Sequence, residues 1–221
     1  MARLKLGVLV SGRGSNLQAI LDAVAAGTLD ADVRIVISNR ADAAALERAD
    51  QAGVPTRVIS HRDFADRSAF DAALVQALAV ADVSVVVLAG FMRVLTPTFL
   101  DAFPWRVINV HPALLPSFPG VDAQKQALDW GVKVTGCTVH FVDAGTDTGP
   151  IIAQAALPVR DDDTADELSH RILDLEHRLL VQVLRWMAEG RVQVVTGGAR
   201  PKVVTRGVSA AILVSGSDIA R

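Results

Sequence analysis

The chain has 221 residues, of which 51% are apolar and 21% are charged, and its net charge at pH 7 is −2. This composition excludes a disordered or fibrous chain, and the near-neutral charge excludes the basic surface of a general nucleic-acid binder. The longest apolar run, residues 83–92, is about half the length that a bilayer requires. We therefore expect a soluble, compact protein.

Short β-branched runs alternate with longer helical patterns through the first half of the chain. The predicted strands are residues 4–10, 33–37, 56–59, 83–89 and 107–110. The predicted helices between them are residues 16–26, 43–52, 66–81 and 96–103. This alternation indicates an α/β fold with a Rossmann-like, open, mostly parallel twisted sheet and helices on both faces.

The second half of the chain has a different pattern. A helix over residues 122–130 precedes two predicted strands, residues 134–142 and 151–159, and this meander predicts antiparallel strands added to the sheet. Thr164 with Glu167 three residues later predicts a capping box, which opens a helix that runs to Glu189 and stops at Gly190. The pattern assigns no role to a tail over residues 204–221.

The single cysteine, Cys137, bears on the cellular compartment. One cysteine cannot form an intrachain disulfide bond or a cysteine-based metal cluster, so a reducing cytoplasm is the natural setting. The basic and apolar start, residues 1–10, is followed at once by Ser-Gly-Arg-Gly at residues 11–14, before the apolar region of a signal peptide could form, which favours a strand instead. We therefore expect a cytoplasmic protein.

The loop after the first predicted strand, residues 11–16, has the sequence Ser-Gly-Arg-Gly-Ser-Asn. Glycines let the backbone N–H groups and the following helix N-terminus bind a phosphate, although a tight strand-to-helix turn also needs glycine. The dinucleotide fingerprint is not met because Leu17 replaces its third glycine, and the nucleoside-triphosphate loop lacks its Lys-Ser/Thr pair. We predict a phosphomonoester, bound by Gly14, Ser15 and Asn16.

Asn109 and His111 end the fifth predicted strand and lie two residues apart, so they point to the same side of it. An amide donor beside an imidazole can bind a developing oxyanion and move a proton. Asp147, in a glycine-flanked loop, could approach the imidazole, hold its orientation and raise its pKa. The alternatives are a capping asparagine, a surface histidine and a solvated aspartate.

Together these motifs resemble the phosphoribosylglycinamide formyltransferase family of purine biosynthesis. The matching stretches are residues 11–18, 88–95, 109–120 and 140–150. The resemblance implies a transferase of one-carbon metabolism that moves the formyl group of 10-formyltetrahydrofolate, its co-substrate, to the amine of 5-phosphoribosylglycinamide without a metal. It also implies one formyltransferase domain over residues 1–203, with a phosphate-binding half to about residue 105 and a catalytic and folate-binding half from about 106.

The same resemblance implies roles for particular residues. The implied catalytic residues are Asn109, His111 and Asp147, and the residues implied to bind phosphoribosylglycinamide are Gly14, Ser15, Asn16 and Glu176. The implied folate-binding residues are Arg67, Met92, Arg93, Val94, Leu95, Asn109, Asp143, Ala144, Gly145, Thr146 and Asp147. His140 corresponds to a strand histidine near the substrate, with an ordinary sheet residue as the alternative.

Two positions depart from the family pattern. The family commonly has a histidine shortly after the Pro-Gly pair, whereas residues 121–124 are Val-Asp-Ala-Gln, so no role of that histidine is implied. Arg13 stands in the phosphate loop where smaller or uncharged residues are frequent, and it could add a cationic contact to the phosphate.

Other formyl-transfer enzymes and formyltetrahydrofolate hydrolases use the same three catalytic residues. Methionyl-tRNA formyltransferases add a C-terminal domain and the hydrolases add an N-terminal one, and we expect 221 residues to leave no room for either. A non-catalytic phosphosugar- or folate-binding protein is the third alternative, against which the joint presence of the three residues argues. We expect small-molecule substrates and no nucleic-acid or membrane partner, while a monomer and a homodimer both remain open.

Overall fold

A computed structural model describes residues 3–213 of the chain. The chain divides into two compact units, Met1–Asn109 and Val110–Arg221. No helix within residues 3–213 is both long enough and apolar enough to cross a membrane.

The first unit is a parallel α/β sheet. Its strands are β1 (Leu4–Val10), β2 (Ala31–Ser38), β3 (Thr56–Val58), β4 (Val85–Leu88) and β5 (Val107–His111), the last of which crosses the boundary between the units. Its helices are α1 (Ser15–Ala25), α2 (Ala44–Gln51), α3 (Arg67–Val80) and α4 (Pro97–Leu100). The strands lie in the order β5–β4–β1–β2–β3, and every neighbouring pair is parallel.

The centre of this sheet forms the core of the first unit. Val8 and Leu9 of β1 and Val86 and Val87 of β4 are fully buried. Parallel strands covered on both faces require such near-continuous apolar runs. Because the carboxyl ends of parallel strands meet at one edge, the loops that follow β4, β1 and β2 are neighbours there.

The second unit contains an antiparallel pair and a long helix. Its strands are β6 (Val134–Phe141), β7 (Ile151–Pro158), β8 (Val192–Val195), β9 (Lys202–Thr205) and β10 (Ala211–Leu213), and its helices are α5 (Ala123–Asp129) and α6 (Ala165–Ala188). Strands β6 and β7 pair antiparallel, β10 pairs parallel with β7, and β8 and β9 form a separate antiparallel hairpin. Helix α6 packs against β6 and β7, and the predicted capping box between Thr164 and Glu167 is present at its start.

The predicted fold class is confirmed: the sheet is mostly parallel, with antiparallel strands in the C-terminal half. The helix predicted over residues 96–103 is shorter, because after Leu100 the backbone N–H groups of Ala102 and Phe103 bond three residues back instead of four. The predicted tail is partly structured, since β9 extends into it and β10 lies within it. Its residues 214–221 lie outside the described residues.

Candidate active site

His111, the last residue of β5, faces an oxygen acceptor with each of its ring nitrogens. Its Nδ1 lies 3.3 Å from Oδ2 of Asp147, and its Nε2 lies 2.8 Å from the carbonyl oxygen of Phe118. A carbonyl oxygen can only accept, so the second contact is a hydrogen bond that Nε2–H donates. With Nε2 protonated, a donated bond to Asp147 requires a second proton on Nδ1, so the geometry fits the imidazolium form.

Burial acts against that charged form. It lowers the pKa of His111 below the ordinary value of 6.5 and outweighs the Phe118 carbonyl and the Asp147 carboxylate, both of which raise it. The Asp147 carboxylate raises this pKa as expected, although burial has the larger effect and sets the net direction. Burial and the two oxygen acceptors therefore act on the pKa of His111 in opposite directions, with burial the larger effect.

Asp147 lies in the left-handed region of the backbone, with φ of 54°, in the loop between β6 and β7. Its Oδ2 accepts a hydrogen bond of 2.8 Å from the Gly120 N–H. Burial acts to raise the pKa of Asp147, but contacts with His140 and Gly120 and the charge of His111 hold it below the ordinary value of 3.8. The carboxylate is therefore ionised beside His111 at neutral pH.

His140 of β6 lies on the other side of the same carboxylate. Its Nε2 is 3.7 Å from Oδ1 of Asp147, and its Nδ1 is 2.8 Å from the carbonyl oxygen of Phe141. Only 2% of His140 is exposed. The structure thus brings His111, Asp147 and His140 together, and it places Asn109 half-buried two residues before His111 on β5.

The loop that carries Asp147 is held by its own side chains. Asp143 Oδ1 accepts hydrogen bonds from the Gly145 N–H at 3.1 Å and from the Thr148 hydroxyl at 2.6 Å. A Cβ at Gly145 would lie 2.0 Å from the Thr148 hydroxyl oxygen, so this close approach requires glycine. The guanidinium of Arg200 donates to the Thr148 carbonyl at 3.1 Å. Ala144, Gly145 and Thr146 remain exposed.

Glu176 lies on the buried face of α6, where it is 7% exposed. Burial raises the pKa of the Cys137 thiol, and the negative charge of Glu176 raises it further. Cys137 is therefore an unreactive thiol. Within residues 3–213, no three His, Cys, Asp or Glu side chains form a group that could hold a metal ion.

The phosphate loop of the first unit requires glycine at position 14. Gly14 precedes α1 with φ of 76°, and a Cβ there would lie 2.5 Å from the Cβ of Ala45. The Arg48 Nε donates to the Arg13 carbonyl at 2.9 Å, which fixes the loop backbone. The Arg13 side chain is exposed. At the start of α1, Gly14 is followed by a half-buried Ser15 and a buried Asn16.

The residues expected to bind folate in the first unit offer both apolar and basic surface. Met92 and Val94 are 66% and 52% exposed, whereas Leu95 is 4% exposed and anchors the segment. Arg93 is half-buried, and Arg67 is exposed at the start of α3. The segment therefore leaves two apolar side chains accessible to a flat ligand.

Sequence reasoning missed two buried polar residues at the same edge of the first unit. The Ser11 hydroxyl donates to Asn39 Oδ1 at 2.6 Å and accepts from the Met92 N–H at 2.9 Å. Each of these two residues comes directly after a buried strand, and this position is the signal that could have identified them as candidate site residues. Sequence reasoning also missed the carbonyl of Phe118, because a backbone acceptor leaves no trace in residue type.

The fold and the buried His–Asp contact define an α/β protein with a candidate site for acid–base chemistry at strand ends. The chain belongs to the formyl transferase family, whose sequence profile matches residues 4–184. A phosphoribosylglycinamide formyltransferase of Escherichia coli strain K12 is 43% identical over 190 residues, which are 86% of this chain and 90% of that protein.

Longer and structural relatives agree with that assignment. A trifunctional purine biosynthetic protein adenosine-3 of Drosophila melanogaster is 50% identical over 190 residues, which are 85% of this chain but only 14% of that protein. The crystal structure of glycinamide ribonucleotide transformylase 1 from Symbiobacterium toebii has a TM-score of 0.88 and 50% identity, and the match covers 92% of this chain and 94% of that one.

Proposed function

We propose that this chain transfers the formyl group of 10-formyltetrahydrofolate to the glycinamide amine of 5-phosphoribosylglycinamide, giving formylglycinamide ribonucleotide and tetrahydrofolate. The reaction is a step of de novo purine biosynthesis, and its setting is the cytoplasm. The buried contact of 3.3 Å between His111 and Asp147, at the end of the strand that also bears Asn109, carries this proposal. Membership of the formyl transferase family supports it.

The chemical step is direct attack of the glycinamide nitrogen on the formyl carbon. The N–C bond forms while the carbonyl π electrons move to oxygen, which becomes negatively charged in the tetrahedral intermediate. The Asn109 side-chain amide donates a hydrogen bond to this oxygen, and removing one such donor typically lowers turnover by ~10²–10³. An electron pair of the oxyanion then re-forms the C=O bond as the carbon–nitrogen bond to folate breaks, and the electron pair of that broken bond goes to the folate nitrogen.

Either His111 or a water molecule held by Asp147 carries the proton between these two events. The attacking nitrogen must lose a proton and the departing nitrogen must gain one, so the protons balance with one carrier. Burial lowers the pKa of His111, which favours the neutral ring that can accept a proton. The developing oxyanion favours its protonated form, and Asp147 stabilises that form from 3.3 Å. His140, on the far side of the same carboxylate, is a candidate member of this group.

The substrate phosphate binds at Gly14, Ser15 and Asn16 in this proposal. Gly14 has no side chain that could accept hydrogen bonds from the first N–H groups of α1, so these groups can donate to the phosphate. The helix N-terminus adds a partial positive charge. Glu176, a buried acid on α6, contacts the polar part of the same substrate.

The folate binds along two segments. One comprises Met92, Arg93, Val94 and Leu95, whose exposed apolar side chains suit a flat ring, with Arg67 available for the folate carboxylates. The other is the loop over residues 143–147. In this proposal Asn109 joins the folate site through its hydrogen bond to the formyl oxygen. The folate carries the one-carbon unit, so the protein supplies positioning and electrostatic stabilisation.

The decisive experiment incubates the protein with phosphoribosylglycinamide and 10-formyltetrahydrofolate and follows release of tetrahydrofolate. We expect release that depends on the nucleotide, that is lost in His111→Ala and that persists in His170→Ala, since His170 is an exposed residue of α6. Release without the nucleotide would indicate a hydrolase. Tight binding of either ligand with no turnover would indicate a binding protein.

A further inference from the structure

The Ser11 hydroxyl joins three loops of the first unit. It follows β1 directly, donates to Asn39 Oδ1 at 2.6 Å and accepts from the Met92 N–H at 2.9 Å. Ser11 and Asn39 are each 6% exposed. A buried hydroxyl with one hydrogen and two partners has a fixed orientation, so a shift of any of the three loops disturbs the other two.

The sheet explains why these loops meet. Strands β4, β1 and β2 are adjacent and parallel, so the segments that follow them share one edge of the sheet. The loop after β1 leads into the residues proposed to bind phosphate, and the segment after β4 contains the residues proposed to bind folate. Asn39, after β2, completes the connection from a third loop.

Asn39 is itself held on its far side. Its Nδ2 lies 3.4 Å from Nδ1 of His61. Desolvation lowers the pKa of His61, and the positive charges of Arg93 and Arg62 lower it further against the charge of Asp63, which favours a neutral ring whose Nδ1 can accept from Asn39. The amide therefore has a defined orientation, with its oxygen toward Ser11 and its nitrogen toward His61.

We propose that Ser11 and Asn39 are positioning residues that couple binding of the nucleotide phosphate at residues 14–16 to binding of folate at residues 92–95. This inference rests on the proposed function, which assigns those two segments to the two ligands. A ligand that shifts one loop also shifts the Ser11 hydroxyl and, through it, the Met92 N–H, so the second ligand meets a segment that has already moved. The free-energy cost of rearranging the loops then arises only once. Each ligand therefore strengthens binding of the other by the same factor.

The test is a binding measurement without turnover. Titration calorimetry gives the Kd of phosphoribosylglycinamide alone and at saturating tetrahydrofolate, and the ratio of the two values is the coupling factor. We expect a factor of roughly 5 or more for the unmodified protein, within the usual range of coupling between sites. In S11A we expect the factor to fall close to 1.

Ser84 provides a matched control in the same unit. Its hydroxyl also has two partners, both on the Lys5 backbone: it accepts from the Lys5 N–H at 3.2 Å and donates to the Lys5 carbonyl at 3.0 Å. It lies where β1 and β4 begin, at the opposite ends of the strands. S84A therefore removes a comparable pair of hydrogen bonds, and we expect it to keep the full coupling factor.

Two further variants separate coupling from simple loss of folding. S11T retains the hydroxyl and should retain the coupling. N39A leaves the hydrogen bond between Ser11 and the Met92 N–H in place but removes the side-chain oxygen that accepts from Ser11. It should therefore lower the coupling factor. If S11A does not fold, N39A tests the coupling in its place. A factor of 1 in the unmodified protein, or a full factor in N39A or S11A, would overturn the coupling. Failure of the unmodified protein to bind either ligand alone would instead contradict the proposed function, and the coupling would fall with it.

Discussion

The Nδ1 atom of His111 lies 3.3 Å from Oδ2 of Asp147, and that same oxygen accepts the Gly120 N–H at 2.8 Å. The carboxylate therefore ties together the strand end at His111 and the loop that contains Gly120. Only 13% of the Asp147 side chain is exposed, so water screens its contact with His111 only weakly. The contact with Asp147 and the burial of His111 act on the pKa of His111 in opposite directions.

Asp147→Asn should move the pH dependence of activity. The carboxylate raises the pKa of His111 against burial, so its loss should lower that pKa further and shift the acidic limb of kcat/KM to lower pH. Activity at pH 7 should fall by roughly 10²-fold. Asp129→Asn, which removes an exposed carboxylate paired with Lys125, is the control. An unchanged profile with full activity in Asp147→Asn would exclude this role.

Asn109 and His111 should act on the same step. Asn109→Ala and His111→Ala should each lower kcat by ~10²–10³, because each removes stabilisation of the developing oxyanion. The double variant should lose much less than the product of the two effects, since residues that act as a unit are not additive. Steady-state kinetics of all four proteins, with urea unfolding to verify folding, measures this. Multiplicative losses would assign the two residues to independent steps.

The free energy of unfolding should fall as the pH is lowered from 7.5 to 5.5. The folded-state pKa of His111 lies below 6.5, so the unfolded chain binds this proton more readily. The stabilisation is therefore complete above pH 6.5 and is lost as the pH falls toward the folded-state pKa. Asp147 has a separate window, because its lowered pKa gives stability that is lost only below pH 3.8.

Urea unfolding at constant ionic strength measures that loss. His111→Gln should show a smaller decline between pH 7.5 and 5.5 than the unmodified protein, because it lacks the buried titrating ring. Ile172→Val, a substitution in the fully buried core of α6, should lower stability at both pH values while keeping the unmodified slope. An equal slope in His111→Gln would show that another group is responsible.

Gly14→Ala should impair both stability and binding of the nucleotide. An alanine at Gly14 is strained by about 1–2 kcal/mol in the left-handed region, and its Cβ would meet Ala45 at 2.5 Å. Gly27 has a similar φ of 67° but open space around it, so Gly27→Ala isolates the conformational strain. We expect KM for phosphoribosylglycinamide to rise at least ~10-fold in Gly14→Ala only, because the phosphate loop must move. Equal KM values in the two variants would remove the loop from the binding site.

Much of the fold could be predicted because local signals and tertiary packing agree. Strand β1 has the predicted limits, since its near-continuous apolar run suits a strand covered on both faces. The capping box of Thr164 and Glu167 was predictable from two residues three positions apart. The hairpin of β8 and β9 was not predicted, because its two strands are only four residues long and alternate between exposed and half-buried residues with none buried.

The sequence by itself determined the fold class and the residue types available for chemistry, because both depend on short-range periodicity and motif spacing. Tertiary structure decided the electrostatics: the chain alone shows that Asp147 can raise the pKa of His111, but only folding buries the ring deeply enough to reverse the net direction. Folding also joined Ser11 to Asn39, 28 positions away, and to Met92, 81 positions away. Burial and contact at such separations arise from packing of the whole unit, so no local pattern contains them.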